Sequence, residues 1–199
     1  MATFPFPDLR PAEVQWQLIT NSQSFVSPFT GIEQTAESPG SKWLASLRFE
    51  NLKRSEIAEL EAFIMRLRGK ANRALLWNHA RENPRGSGSG TPLVRGAGQT
   101  GGSIISDGWQ VNQSGVLLVG DYVSIGGELK IITADVNSDA GGLATLQIES
   151  PQRYAPVDNS LIVINNAPAK MMLVDDKQGR ITSRRALNNL SLSFIEDIR

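Results

Sequence analysis

The chain has 199 residues, enough for one large domain or two small ones with an ordinary buried core. Its 20 Lys+Arg residues are balanced by 20 Asp+Glu, so it lacks the broad basic field that drives binding to phosphate backbones, and a hydrophobic content of 40% argues against general disorder. Cysteine is absent, which excludes disulfides, thiolate nucleophiles and Cys-based zinc sites.

Residues 1–12 carry Pro5, Pro7 and Pro11 among Phe4, Phe6 and Leu9. This is an extended arm, too rich in proline for a helix, and its phenylalanines need a packing surface on this chain or on a neighbour. The opening residues lack the basic segment and apolar run of a signal peptide, and no apolar run approaches a bilayer-spanning length, so the expectation is a soluble protein made in the cytoplasm. From 13 to 50, Val14, Trp16 and Leu18 alternate with polar residues, Phe25 and Val26 precede a Pro28–Gly31 turn, and Trp43, Ala45, Leu47 and Phe49 share one face. Period-2 alternation between Pro/Gly turns predicts half-buried antiparallel strands.

One helix follows. Ile57, Leu60, Ile64 and Leu67 fall at helical spacing, with Phe63 widening the stripe. Ser55 is the expected N-cap, Glu56 and Glu59 suit the positive end, and Gly69 is the expected residue just past the helix. RALLW, 73–77, returns as a short strand.

Composition then shifts. Residues 83–120 hold Arg85, Arg95 and Asp107 as their only charged side chains, and the segment opens on RGSGSGTP, which predicts a flexible connector. Short β signals recur in TPLV, GSII, GVLLVGDYVSI, GELKIITADV and LATLQIES, with turns at Gly126-Gly127 and at 137–142. After KMMLVDD the sequence predicts a turn at Lys177–Gly179 and a short RITSR strand, and NLSLSFIEDI then alternates as a closing strand for the N-terminal sheet. The predicted fold is mainly β with one packed helix: a split β-barrel or sandwich formed by 1–82 plus 166–199, with a small barrel-like module, 83–165, inserted between its halves.

Three stretches mimic sites. Gly96-Ala-Gly98-Gln-Thr-Gly101 has the spacing of a dinucleotide-binding loop, but the segment behind it is not a helix former. It reads as a glycine-rich loop between strands, so no cofactor is expected. Asp135-Val-Asn137-Ser-Asp139 places oxygens at alternate positions as a calcium loop does, but Ala140 and Leu146 stand where such a loop needs Gly and Glu. A turn rich in Asx residues accounts for the same letters, and no metal is expected. His79, the only histidine, sits near the junction of the two parts, with Glu82 close in sequence and no partner nucleophile apparent. Of the four tryptophans, Trp109 lies in a polar, glycine-rich setting and is the one expected to be exposed, where it could stack on a saccharide. No catalytic residue is assigned.

The order of phrases is informative beyond these. EVQWQLITNSQSFVSPFTG is followed by the Trp43 strand, then NLKRSEIAELEAFIMRLRGKANRALLW, then GAGQTG…GW and GDYVSIGGELKIITADV, and the chain closes on SLSFIEDI. This pattern resembles the distal tail protein family of long-tailed (siphovirus-type) bacteriophages over nearly the whole chain. The resemblance implies a non-enzymatic virion protein, assembled in the host cytoplasm into a ring, usually six-fold. The ring joins the tail tube to the tip or baseplate hub, and in some members its outer module holds receptor-binding proteins. Specific nucleic-acid binding is not expected. The candidate subunit or partner contacts are Phe4 and Phe6 in the arm, Arg95 and Gln99 in the glycine loop, and Trp109. Another minor tail or hub-peripheral role, and a saccharide-binding adsorption module using Trp109, remain as alternatives.

Overall fold

The computed structural model describes residues 1–38, 40–177 and 188–198. The expected turn at Lys177–Gly179 falls largely outside these residues, and the RITSR strand does so entirely. The fold is mainly β with one helix. Strands β1 (Thr3–Pro5), β2 (Glu13–Ile19), β3 (Ser22–Val26), β4 (Glu33–Glu37) and β5 (Lys42–Leu52) precede helix α1 (Arg54–Leu67). Then come β6 (Arg73–Leu76), β7 (Gly90–Val94), β8 (Gly101–Trp109), β9 (Tyr122–Ile125), β10 (Glu128–Ile132), β11 (Ala144–Gln152), β12 (Ile162–Val163), β13 (Ala169–Leu173) and β14 (Asn188–Glu196).

The first sheet has the order β1-β6-β13-β14-β5-β2, so the two ends of the chain interleave in it. The arm supplies β1, which runs parallel to β6 in register Phe4↔Ala74. Every other pairing in this sheet is antiparallel. The alternation in KWLASLRFE puts Trp43, Ala45, Leu47 and Phe49 on the inner face, and α1 lays Leu60, Phe63, Ile64 and Leu67 over it. The helix begins one residue before the expected cap. Lys53 is the N-cap, with its amide donating to Glu56 Oε2 at 2.7 Å, and Arg68 closes the helix in the left-handed region at φ 49°. The acidic residue three positions on, rather than a cap hydroxyl, satisfies the first amide.

The second sheet has the order β12-β9-β10-β11-β8-β7. It curls until its outer strands meet: Leu93 bridges Leu161, and the Val94 amide donates to the Ser160 carbonyl at 2.9 Å. Closure removes the open strand edges that a flat sheet would leave. Val94, Ile104, Val123, Ile125, Leu146 and Ile148 fill the interior. GVLLVGD does not continue as a strand. Its Leu117 makes a single bridge to Val136, and Asp121 turns inward to accept the amides of Arg85, Gly86 and Leu118 at 2.9, 3.1 and 2.8 Å.

Those same bonds correct the expectation of a flexible connector at 85–92. The Ser87 and Gly88 amides also donate to the carbonyls of Gly115 and Val116 at 3.0 and 2.9 Å. A Cβ on Gly86 would lie 2.6 Å from the Leu117 Cα, so glycine is needed here for close backbone approach and not for flexibility.

β10 joins the barrel to the first sheet. Ile132 points into the barrel core, whereas Leu129 and Ile131 pack against the core under α1. Around β10 lies a buried ionic cluster. Lys130 Nζ is 2.7 Å from Glu128 Oε2. Arg153 lies 3.1 Å from the same carboxylate and 2.6 Å from Glu196 Oε1 on β14. Glu196 Oε2 accepts the Trp43 amide at 3.1 Å, and the Trp43 indole donates to the Leu129 carbonyl at 2.9 Å. Two cations and two anions neutralise one another, and most remaining donors reach backbone carbonyls: Lys130 to Pro151 and Arg153 to Ser41, at 2.9 and 2.7 Å. Burial pulls the Lys130 ammonium below the usual lysine range, and Glu128 opposes that pull. Replacing Arg153 by Met should therefore cost about 3–5 kcal/mol, because Glu128 and Glu196 lose their shared partner inside the protein. Urea unfolding of the variant beside the native chain measures this.

Candidate functional site

The residues singled out from the sequence do not converge on one site. Phe6 is only 4% exposed and lies in the chain's own core. Its ring packs edge-on to Phe63 at 5.2 Å and to Phe194 at 6.2 Å, and stacks with Phe49 at 6.2 Å. Phe4, half-buried, lies beneath the Arg66 guanidinium, 4.3 Å from the ring centroid. The arm thus folds as β1 onto its own sheet, which removes Phe6 as a contact with a neighbour. Trp109 corrects the sequence reading in the same way. It is 4% exposed, sits in the barrel core, and donates from Nε1 to Ser106 Oγ at 2.8 Å. The buried serine supplies the polar partner that an indole needs inside a core.

Arg95 is exposed and Gln99 partly so, at the β7–β8 connection. Gly96, Gly98 and Gly101 take φ of 88°, 81° and 92°, and a strand follows them instead of a helix. Gln99 ties the loop together, accepting the Ile105 amide at 2.6 Å and donating to the Arg95 carbonyl at 2.8 Å. The calcium-like oxygens are likewise engaged with backbone. Asp135 accepts the Val119 amide at 2.9 Å, and Asn137 accepts Gly115 at 2.8 Å. The amides of Leu143 and Gly141 hold the Asp139 carboxyl below the usual carboxylate range.

His79 is half-buried. Its ring stacks on Trp77 at 4.8 Å and meets Phe6 edge-on at 5.6 Å. Burial lowers its pKa below the ordinary 6.5, against the pull of Glu82. The folded state thus binds its proton less readily than the unfolded chain, so the neutral ring's contribution is present above about pH 6.5 and is lost as pH falls through that value. Denaturant midpoints measured at pH 7.5 and pH 5.5 should show a loss of stability that shrinks in His79→Phe.

Beside His79 runs an open cleft of about 520 Å³, lined by Arg81, Arg85, Asn83, Asp121 and Tyr122 among others. Its arginines hold the connector to the barrel. Arg81 donates to the Gly120 carbonyl at 2.8 Å, Arg85 donates to the Val119 carbonyl, and Arg85 Nε stands 3.6 Å from Asp121.

A cluster of exposed apolar side chains lies elsewhere. Between Ile19 and Lys42 the β2–β5 pair continues into a separate two-stranded ribbon, β3–β4, with register Phe25↔Gln34 and Val26↔Glu33. Every residue of both strands is exposed. Its tip carries Phe29 at 96% exposure, with Ile32, Val26 and Phe25 all above 60%. Phe25 and Val26 point to opposite faces, so no single face of the ribbon can bury both. Residues 11–41 contain Glu13, Glu33 and Glu37 and no lysine or arginine, so the ribbon is apolar and acidic. Clustered exposed apolar side chains of this kind mark association surfaces, and full burial of each is worth about 1.5–3 kcal/mol. This corrects the expectation of half-buried strands for this part of 13–50: FVSPFTGI sets four apolar residues in and around the Pro28–Gly31 turn, but a local pattern does not show whether either face of the hairpin is covered.

No helix among the described residues is long and apolar enough to cross a membrane. No protein-family model matches the chain, and no curated protein matches it significantly. Alanine at Phe6 should cost about 3–5 kcal/mol of stability in the isolated chain, whereas serine at Phe29 should stay within about 0.5 kcal/mol. Denaturation of the two variants at low protein concentration distinguishes a core residue from a surface awaiting a partner.

Proposed function

We propose that this protein is a structural subunit of a bacteriophage tail, a distal tail or baseplate ring component that joins the tail tube to the tip or hub complex. The observation that carries this reading is the β3–β4 ribbon. It is a built extension of the first sheet whose apolar tip is exposed and packs on neither core among the described residues. A ring subunit needs a surface that fits a different surface on the next copy, and an arm projecting from one edge is such a surface. The first sheet also ends on β2, whose outer edge is unpaired among the described residues. An edge of this kind is open to another chain. The order of phrases from the Trp43 strand through α1 to the closing β14 supports the same reading, as does the barrel inserted between the two halves of the first sheet.

In this reading the chain works by assembly. Copies associate laterally through the first sheet and its ribbon, and the barrel is carried at a fixed orientation by the Glu128–Arg153–Glu196 cluster. The two ring faces receive the tube and the hub. Net charge near zero suits a ring around passing DNA, because a strongly basic lumen would hold the phosphate backbone.

Light scattering combined with negative-stain imaging tests the proposal. The expected result is a closed multimer, alone at high concentration or on addition of tube or hub protein. A chain that stays monomeric under all these conditions overturns it.

A further inference from the structure

We infer that the β3–β4 ribbon docks on a second copy of this chain, with Phe29 and Ile32 of one copy covering the outer face of α1 around Met65 of the next. The inference deepens the ring reading, on which it rests, by naming the two surfaces that meet.

Charge and exposure select the pair. The ribbon carries Glu33 and Glu37 and no cation, so its complement is an exposed apolar residue in a basic setting. Met65 is 70% exposed, the highest value for a large apolar side chain between Ile32 and Tyr154. It sits beside Arg66 and Arg68, with Lys70 just past the helix and Glu61 one turn back on the same face, so cations outnumber carboxylates at this helix end. Glu56, the acidic residue of the first turn, is held by the Lys53 amide, and Asp176 accepts the Lys70 amide at 2.8 Å. Arg66 is already fixed over the Phe4 ring, so part of this basic surface is preorganised. Methionine is unbranched and adaptable, which suits a surface that must receive an aromatic tip. The helix C-terminus also draws cations to this end, so Arg68 and Lys70 stand close to where Glu33 would arrive. Val119, 49% exposed near Arg81 and Arg85, is less exposed, and those arginines are already engaged with the Gly120 and Val119 carbonyls and with Asp121. Val157 is 76% exposed but is followed by Asp158, which would repel an acidic ribbon. The contact pairs two different surfaces, so repetition in one direction generates a ring or a filament, as the ring reading requires, whereas reciprocal exchange of ribbons would stop at a two-fold dimer.

The absence of cysteine makes the test direct. The double variant Phe29→Cys/Met65→Cys, treated with a short bis-maleimide, should give a ladder of covalently linked multimers in denaturing gels. Each single variant should give none. In parallel, Phe29→Asp should weaken association by roughly 30-fold or more, the loss expected for an interface anchor, while circular dichroism stays unchanged. A native-like multimer that yields no ladder, or that persists in Phe29→Asp, overturns the contact and leaves the ring reading standing. A cross-link formed within one chain, or between two ribbons in the Phe29→Cys variant alone, also overturns it. A native protein that remains monomeric under every condition overturns both readings.

Discussion

The arrangement of the two sheets depends on Arg153. Its side chain is 16% exposed, and its guanidinium reaches Glu128 on the barrel and Glu196 on the last strand of the first sheet. The carboxylates it neutralises would be costly to bury alone, and Lys130 balances the remaining charge. Trp43 adds a directional constraint, since its amide and indole bond to Glu196 and to the Leu129 carbonyl. A second buried pair, Arg73 with Asp197 at 2.6 Å, ties β6 to the residue after β14. Apolar packing alone would let a barrel slide or rotate on a sheet. Buried bonds of fixed direction do not, so they hold the barrel, the connector and the first sheet in one arrangement.

Against that body the β3–β4 ribbon is anomalous. Among the described residues most large apolar side chains pack in two cores and the other exposed ones are scattered, but the ribbon gathers Phe25, Val26, Phe29 and Ile32 in water. A two-stranded hairpin without a third strand or a packed face is at best marginally stable by itself. Its backbone ladder and the Ser27–Ile32 turn bonds give it shape, while its side chains contribute little to the monomer. The ribbon is therefore the segment whose stability responds most to a partner, and the segment that monomer stability does least to explain.

Much of the fold was legible in the sequence. The alternation of KWLASLRFE and NLSLSFIEDI and the 3.6-residue stripe of α1 state burial directly, because their period matches the element. The glycine spacing at 96–101 was also legible as a strand connection, since the letters behind it could not make a helix. What the sequence hid was long-range partnership. Phe6 reads equally well as a neighbour contact or as core until β1 is seen lying parallel to β6. Trp109 reads as exposed because its local letters are polar; Ser106, three residues earlier, is buried and satisfies its indole. RGSGSG reads as a flexible linker because composition cannot show that its glycines allow backbone contact with 115–117. In ELKII the lysine gives no hint that Leu129 and Ile132 serve different cores, nor that Glu128, Arg153 and Glu196 meet. The ribbon's exposure was hidden for the same reason, since burial belongs to the whole fold and not to the turn.

The central claim is that the ribbon, which packs on neither core among the described residues, acquires a partner on association. Hydrogen exchange followed by mass spectrometry at low and high protein concentration tests it most directly. The account predicts that amides of 22–37 exchange rapidly when dilute and become protected when concentrated, while β5 and β14 stay protected throughout. Equal protection of 22–37 at both concentrations, in a sample shown by scattering to change its association state, would contradict it.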